Sequence, residues 1–206
     1  MKKQMIGAAA GFLLAAAMLS GCATTSIISE WRDPEVKEAG PYKKLFLAAI
    51  TKQETVRRQM EDAFKDNLSA HGAEGVPSYG PLTEAAEAKK EQLVKAVKDS
   101  GADAVLVIRL VKRETETTIS PAYYGPTGYY GGYHDSWSGF YDPVSVYQYE
   151  VITLEVKLLE VKSGQLVWAA STETVDPGKL EKEITAYAKL ITDRMGELNL
   201  VAAAAP

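Results

Sequence analysis

The sequence predicts a single α/β domain whose mixed sheet follows the order β-α-β-α-β, a long insertion, and then β-β-α. Residues 45–50 and 104–108 are short runs of apolar residues alone, which is typical of strands covered on both faces. Segments of helical periodicity separate these runs, so the first strands are expected to be parallel. Residues 148–161 form a longer strand that a tight turn at Ser163 and Gly164 returns into an antiparallel partner.

Helix signals in the first half of the domain lie between the strands. Thr51 and Glu54 match a capping box at the start of a helix that ends at Gly72. Its apolar residues recur at helical spacing and are Val56, Met60, Phe64 and Leu68. A brief strand at 75–77 leads to a second helix, which ends at Gly101. The inward side chains of this helix are expected to be Ala86, Leu93, Val94 and Val97.

A third helix is predicted after the hairpin. Asp176, Pro177 and Gly178 break the sheet and separate the hairpin from this helix. Its apolar residues then step by four and three, and they are Leu180, Ile184, Tyr187, Ile191, Met195 and Leu198. The helix is therefore expected to cover the sheet with one apolar face.

Composition limits the classes of function. The chain has 206 residues, 46% of them hydrophobic, and a net charge of −4, which gives no reason to expect nucleic acid as a partner. Its single cysteine excludes an internal disulfide and a CxxC-type zinc site. A domain of this size buries roughly 70% of its unfolded surface, so it needs no disulfide or metal to fold.

The N-terminus predicts export and lipidation. Two lysines precede an apolar stretch at 5–19, whose 15 residues have the length of a secretory signal rather than of a membrane span. The sequence LSGC at 19–22 resembles the bacterial lipobox, in which the cysteine becomes the acylated first residue of the mature protein. We therefore expect a lipoprotein signal peptide at 1–21 and a lipid on Cys22. The alternative is an incidental cysteine beside an ordinary cleavage site.

The lipid determines where the protein is expected. Two or more acyl chains, palmitate among them, make attachment to a bilayer stable. Ala23 rather than aspartate follows the cysteine, which by resemblance to sorted lipoproteins favours the outer membrane, with the domain facing the periplasm. The mature chain then divides into a lipidated N-terminus and tether at 22–40, the α/β domain at 41–200 and a tail at 201–206.

Candidate catalytic residues are few. The sequence contains no GxSxG, HExxH, Walker or GxGxxG motif. His71 is expected to lie at a helix C-terminus, where a cation interacts well with the helix dipole. His134 has Asp135 and Asp142 near it, but the sequence supplies no further ligands for a metal. We therefore expect no enzymatic activity, no metal and no cofactor.

A Tyr/Gly-rich insertion at 119–147 is the most unusual part of the sequence. Residues 121–149 include ten aromatic side chains and no lysine, arginine or glutamate. Long loops of this kind in compact domains are usually functional or disordered, and Tyr and Trp are common at interfaces. The candidate interaction residues are Tyr123, Tyr124, Tyr129, Tyr130, Tyr133, Trp137, Phe140 and Tyr141.

Several interpretations of the insertion are open from the sequence. The first interpretation is a low-complexity loop lying over the sheet. The second is a surface that contacts a partner or a second copy, and the third is a segment that stacks on glycan or enters the bilayer surface. The expected function is that of a non-enzymatic, membrane-anchored cell-envelope lipoprotein that makes protein–protein or assembly contacts through the insertion. The alternative is an envelope lipoprotein that binds peptidoglycan or another glycan.

Motifs along the mature chain resemble a family of uncharacterised bacterial lipoproteins related to the DUF4136 group. They include the lipobox at Cys22, the WRDP sequence at 31–34, the GADAVLV sequence at 101–107, and SGQLVW ending at Trp168. These motifs are structural rather than catalytic. The topology is also similar to the N-terminal domain of TolB and to curli-secretion lipoproteins. That second resemblance concerns the fold alone. The partners expected from the lipobox and the insertion are the bilayer, through acylated Cys22, and an envelope protein or a second copy.

Overall fold

A computed structural model of the protein describes residues 24–36, 40–82, 90–120 and 145–204. Within these ranges the strands form one six-stranded sheet in the order β1-β6-β5-β4-β2-β3. The elements are β1 (Thr24–Arg32), β2 (Lys44–Ile50), α1 (Glu54–Ala70), β3 (Glu74–Pro77), α2 (Lys90–Ser100), β4 (Ala104–Ser120), β5 (Ser145–Glu160), β6 (Leu166–Val175) and α3 (Leu180–Glu197).

The sheet is mixed, as predicted. β2 is parallel to both β3 and β4, because a helical crossover joins each of these strands to the next one along the chain. β4–β5, β5–β6 and β1–β6 are antiparallel. The predicted α/β class and the predicted order of elements from β2 to α3 are therefore confirmed.

Helices cover the two faces of the sheet unequally. α1 and α3 pack on one face, here called the front face, over a core that includes Leu47, Leu106 and Trp168. α2 packs on the back face, where Phe46 of β2 meets Val97. Because both faces of β2 are covered at this point, all five residues from 45 to 49 are buried. This explains the uninterrupted apolar run in the sequence.

The predicted tether at 22–40 is wrong for its first part, since Thr24–Arg32 is strand β1. It pairs with β6 from Thr24 opposite Val175 to Arg32 opposite Trp168. Glu30 holds it in place: its carboxylate accepts a hydrogen bond of 2.8 Å from Trp168 Nε1 and pairs with Arg194 of α3 at 2.7 Å. A register shift between Ile27 and Ser29 interrupts the alternation of side chains, so the sequence pattern of a strand is weak here.

The predicted tail at 201–206 also begins too early. Val201 is fully buried, and the carbonyl of Ala202 lies 2.9 Å from Nδ1 of His71. The backbone N–H of Tyr42 donates to the carbonyl of Leu200 at 2.8 Å. The chain after α3 is therefore part of the folded domain through Ala202, because it closes the end of the front-face core.

Two helix predictions need correction. Gln53 is the N-cap of α1, and Thr51 accepts a hydrogen bond from the N–H of Gln53 at 3.3 Å, so the predicted capping box does not form. In α2, Val94 is 43% exposed, whereas Ala96 is buried on the back face. The predicted C-terminal positions hold, since His71 is the C-cap of α1 and α2 ends before Gly101.

β4 and β5 continue beyond the rest of the sheet as a two-stranded ribbon, defined here as residues 115–120 and 145–150. β2 ends opposite Arg109 of β4, and β6 ends opposite Val151 of β5. Six residue pairs therefore extend without a third strand beside them, over about 20 Å. β4 runs to Ser120 and β5 begins at Ser145, so the two ends of the insertion predicted at 119–147 belong to strands. Residues 121–144 lie outside the described ranges.

Candidate functional site

The residues predicted to be functional lie outside the part of the chain that the structure describes. This holds for Cys22 and for the eight aromatic candidates of the insertion. The described residues nevertheless fix where both segments leave the folded domain. They also form a cavity at that same end of the sheet.

One row of residues across the sheet marks this end of the domain. Thr24 of β1 lies opposite Val175, which lies opposite Val151, which lies opposite Glu114 of β4. Cys22 precedes Thr24 by two residues, a span of at most about 7 Å. The predicted lipid site and the ribbon therefore leave the sheet at the same end, and the ribbon continues about 20 Å beyond this row.

A groove opens on the front face at this end, with a volume of about 560 Å³. Its floor is formed by the central strands through Ile108, Leu110, Ile152 and Leu154. Its walls are the first turns of α1 and α3, which contribute Val56, Met60, Leu180 and Ile184. Leu110 and Leu180 are about half exposed, at 49% and 51%, so the groove presents apolar side chains to solvent.

Charged residues at the rim of the groove are balanced. Arg113 is paired with Glu150 of the ribbon and holds the pKa of that carboxyl below its ordinary value through a direct hydrogen bond. Glu183 accepts a hydrogen bond of 3.0 Å from the N–H of Gly178. Lys52 adds one further positive charge. The rim therefore carries no concentration of one sign that would select an ion.

Tyr187 closes the inner end of the groove. Its ring packs edge-on against Phe64, with centroids 5.7 Å apart and an interplanar angle of 78°. Its hydroxyl is buried and has no hydrogen bond of normal geometry among the described atoms. Burial raises the pKa of Tyr187 far above its ordinary value, and the Thr172 hydroxyl opposes this only in part. The hydroxyl therefore stays neutral and is unsuited to acid–base chemistry.

A second polar site, which sequence reasoning missed, is buried between α1 and the loop after β3. Glu61 accepts hydrogen bonds from Ala49 N–H at 3.0 Å and from the Ser78 hydroxyl at 2.6 Å, and it lies 3.5 Å from Nε of Arg57. Arg57 also donates to the carbonyl of Leu82 at 2.6 Å. Both charges are fully buried and hydrogen-bonded, so the pair joins elements of the core rather than facing a substrate.

A sequence signal for this pair exists. Arg57 and Glu61 lie on the same helical stripe as Phe64 and Leu68, and charged residues on an apolar stripe are expected to be buried and paired. His71 is 4% exposed at the end of this helix, and Nε2 lies 3.2 Å from Asp193. With Ala202 on its other nitrogen, the ring joins α1 to α3, which suits its predicted position at a helix C-terminus.

Metal and membrane features are limited in the described ranges. They contain no group of three or more His, Cys, Asp or Glu side chains placed to hold a metal ion. None of the helices within these ranges is both long and apolar enough to cross a membrane.

The described residues define a class: a mixed six-stranded α/β sheet with helices on both faces and a projecting ribbon. Residues 48–195 match the family described as a domain of unknown function, DUF4136. The chain belongs to this family, which confirms the resemblance seen in its sequence motifs. No curated protein matches the chain.

Several solved structures are distantly similar, and three of them show the range. The PelC dodecamer from Paraburkholderia phytofirmans is 15% identical and covers 85% of this chain and 98% of its own, with a TM-score of 0.45. Lipoprotein GNA1162 from Neisseria meningitidis is 12% identical and covers 75% and 99%, with a TM-score of 0.42. A PDZ domain protein from Parabacteroides distasonis is 11% identical and covers 83% and 36%, with a TM-score of 0.34. Similarity at this level carries no argument about function.

Proposed function

We propose that the protein is a non-enzymatic lipoprotein of the cell envelope that is anchored through Cys22 and makes protein–protein assembly contacts through its ribbon and residues 121–144. The outer membrane, with the domain facing the periplasm, is the proposed location. The observation that carries the proposal is the ribbon, which begins at the end of the sheet nearest Cys22 and extends about 20 Å past it.

The ribbon is longer than the fold of the domain requires. Its six pairs lie beyond the neighbouring strands β2 and β6, and an isolated two-stranded ribbon is marginally stable in water. Tyr147 within it is 61% exposed. A segment rich in Tyr and Trp at the end of such a ribbon has the composition of an interface, because these side chains combine a large apolar area with a polar tip.

In-cell photocrosslinking tests this proposal. A photoreactive amino acid replaces Thr117 on the ribbon, and a control variant carries it at Lys95, an exposed residue of α2. We expect discrete crosslinked protein partners, a second copy included, from position 117 and none of the same bands from position 95. Identical bands from both positions would contradict a specific contact surface.

A deletion variant separates the contact surface from the fold. Replacing residues 121–144 with a short Gly/Asn turn joins strands that are already paired, so the free energy of unfolding should change by roughly 1 kcal/mol or less. The crosslinks from position 117 should disappear. If the variant is unstable or aggregates, the aromatic side chains belong to the core.

Sedimentation with peptidoglycan tests the glycan-binding alternative. That alternative is supported if the intact protein sediments with peptidoglycan and the deletion variant does not.

The anchor has its own test. Cys22→Ser removes the thiol that lipoprotein processing would acylate, so the variant should take up no radioactive palmitate in cells. Normal labelling of this variant would contradict the lipid assignment and leave the ribbon proposal to be judged by crosslinking alone.

A further inference from the structure

The groove lies beside the point where the chain from Cys22 enters the sheet. Thr25 shares a hydrogen bond of 2.9 Å with Thr174, hydroxyl to hydroxyl, and Thr174 lines the groove. Thr25 is the third residue after Cys22, a span of at most about 11 Å. A group attached to the Cys22 sulfur is therefore within reach of the groove, because the pairing of β1 with β6 fixes Thr25 beside it.

The lining of the groove fits a neutral hydrocarbon chain. Twelve of its eighteen lining residues are apolar, and they form a floor and two walls rather than a flat patch. Its volume of about 560 Å³ is in the range of pockets that bury small ligands, which is roughly 300–1,000 Å³. Arg113 is already paired with Glu150, and the other two charged lining residues, Lys52 and Glu183, have opposite signs, so the lining has no excess of one charge for an ionic ligand.

We infer that the groove holds one acyl chain of the lipid attached to Cys22, an inference that rests on the lipidation in the proposed function. Moving the acyl chain from the bilayer into the groove changes its own free energy little, since both surroundings are apolar. Docking is favourable because it removes the exposed side chains of Leu110 and Leu180 from water. The remaining acyl chains of the anchor keep the protein attached to the membrane.

Metabolic labelling with a photoactivatable palmitate tests this inference on the full lipidated chain. Cells incorporate the label into the lipid, light activates it, and mass spectrometry maps the crosslinked peptides. We expect crosslinks within one chain, from the Cys22 lipid to peptides that contain Ile152 or Ile184. Crosslinks spread over the whole surface, or confined to lipids and other proteins, would overturn the inference while leaving lipidation itself established.

Matched variants test whether the crosslinks depend on the side chains of the groove. Leu180→Asp places a charge on the groove wall at the first residue of α3, where an acidic side chain is compatible with the helix. A charge beside a buried hydrocarbon is unfavourable, so groove crosslinks should fall by about tenfold or more. Leu110→Glu should have the same effect from the floor. Val94→Asp, a similarly exposed site on α2, should leave them unchanged; equal loss in all three variants would overturn the inference.

Two further arms identify the source of the acyl chain. In vesicles of phosphatidylethanolamine and phosphatidylglycerol, a photoactivatable phospholipid should not label the groove of the lipidated protein; strong labelling there makes bilayer lipid the occupant and overturns the inference. In a mixture of isotopically light and heavy chains, crosslinks should join peptides of one isotope only. Absence of any label on the Cys22 peptide is a different outcome, because it removes the lipidation and this inference together.

Discussion

The two halves of β4 lie in one continuous strand but in different surroundings. Ala104, Leu106 and Ile108 are at most 2% exposed, with β2 on one side and β5 on the other. From Arg109 to Thr118 every side chain is exposed. The sequence changes at the same point: residues 104–108 are all apolar, whereas residues 109–118 are Lys, Arg, Glu and Thr apart from Leu110 and Val111. Burial on both faces therefore determines the residue types of the first half. The second half needs polar and charged residues because the strand is exposed to water there.

Charged side chains protect the exposed second half of β4 from pairing with another sheet. Arg113 pairs with Glu150 across the strands, and Lys112 pairs with Glu114 at 2.6 Å. Charged side chains along free strand edges discourage pairing with another sheet. These charges therefore protect the part of β4 that lies just before the ribbon, where β2 no longer covers its edge.

The largest expected effect is the difference in the free energy of unfolding between Leu→Ala substitutions in the two halves of β4. Leu106→Ala removes a fully buried side chain of the front-face core and should lower the free energy of unfolding by about 3 kcal/mol. Leu110→Ala, four residues later on the same strand, removes a side chain that is 49% exposed and should cost about 1 kcal/mol or less. Urea unfolding of both variants measures the difference. Equal losses would show that the core extends into the second half.

The buried half was readable from the sequence, and the reason is physical. Covered strands need apolar residues on both faces, so the runs at 45–50 and 104–108 identified β2 and the start of β4. β1 was not identified, because its position depends on Glu30 bonding Trp168 and Arg194, which are more than 130 residues away in the chain. Contacts of that range leave no local periodicity.

The candidate site was predictable only in part, for a similar reason. The lipobox and the Tyr/Gly-rich insertion are local patterns, and both were found in the sequence. The groove is assembled from elements that are far apart in the chain, among them β2, α1, β4, β5, β6 and α3, and its apolar residues match ordinary core patterns. Leu180 was expected to face the core and is 51% exposed instead, because α3 begins at the edge of the groove.

A second, smaller effect compares the ion pair at β1 with the one near the ribbon. Hydrogen bonding to Arg194 holds the pKa of Glu30 below its ordinary value, and Glu30→Gln should cost about 1 kcal/mol at pH 7, since the pair is only partly buried. This contribution is present above the unfolded-state pKa, near 4.5, and is lost as the pH falls through the lower folded-state pKa. The free energies of unfolding of the variant and its parent, measured with urea, should therefore converge as the pH falls below the folded-state pKa of Glu30.

Glu150→Gln is the matched control near the ribbon. Its partner Arg113 also lowers the pKa of Glu150, but both groups are more exposed, so the cost of the substitution at pH 7 should be smaller than that of Glu30→Gln. A difference between Glu30→Gln and its parent that persists unchanged at low pH would contradict a contribution from the charge of Glu30, because the amide oxygen of Gln still accepts the hydrogen bond from Trp168.

The smallest expected effect concerns the hydroxyl of Tyr187. The ring fills the inner end of the groove and contacts Phe64, whereas the hydroxyl is buried without a hydrogen bond of normal geometry among the described atoms. Removing an unsatisfied buried hydroxyl relieves its desolvation cost, so Tyr187→Phe should leave the free energy of unfolding within about 0.5 kcal/mol of the parent or raise it slightly. Thr172→Val tests the neighbouring hydroxyl in the same way. If either substitution costs more than about 1 kcal/mol, the two hydroxyls bond each other in solution, and the inner end of the groove is held by a polar contact rather than by ring packing alone.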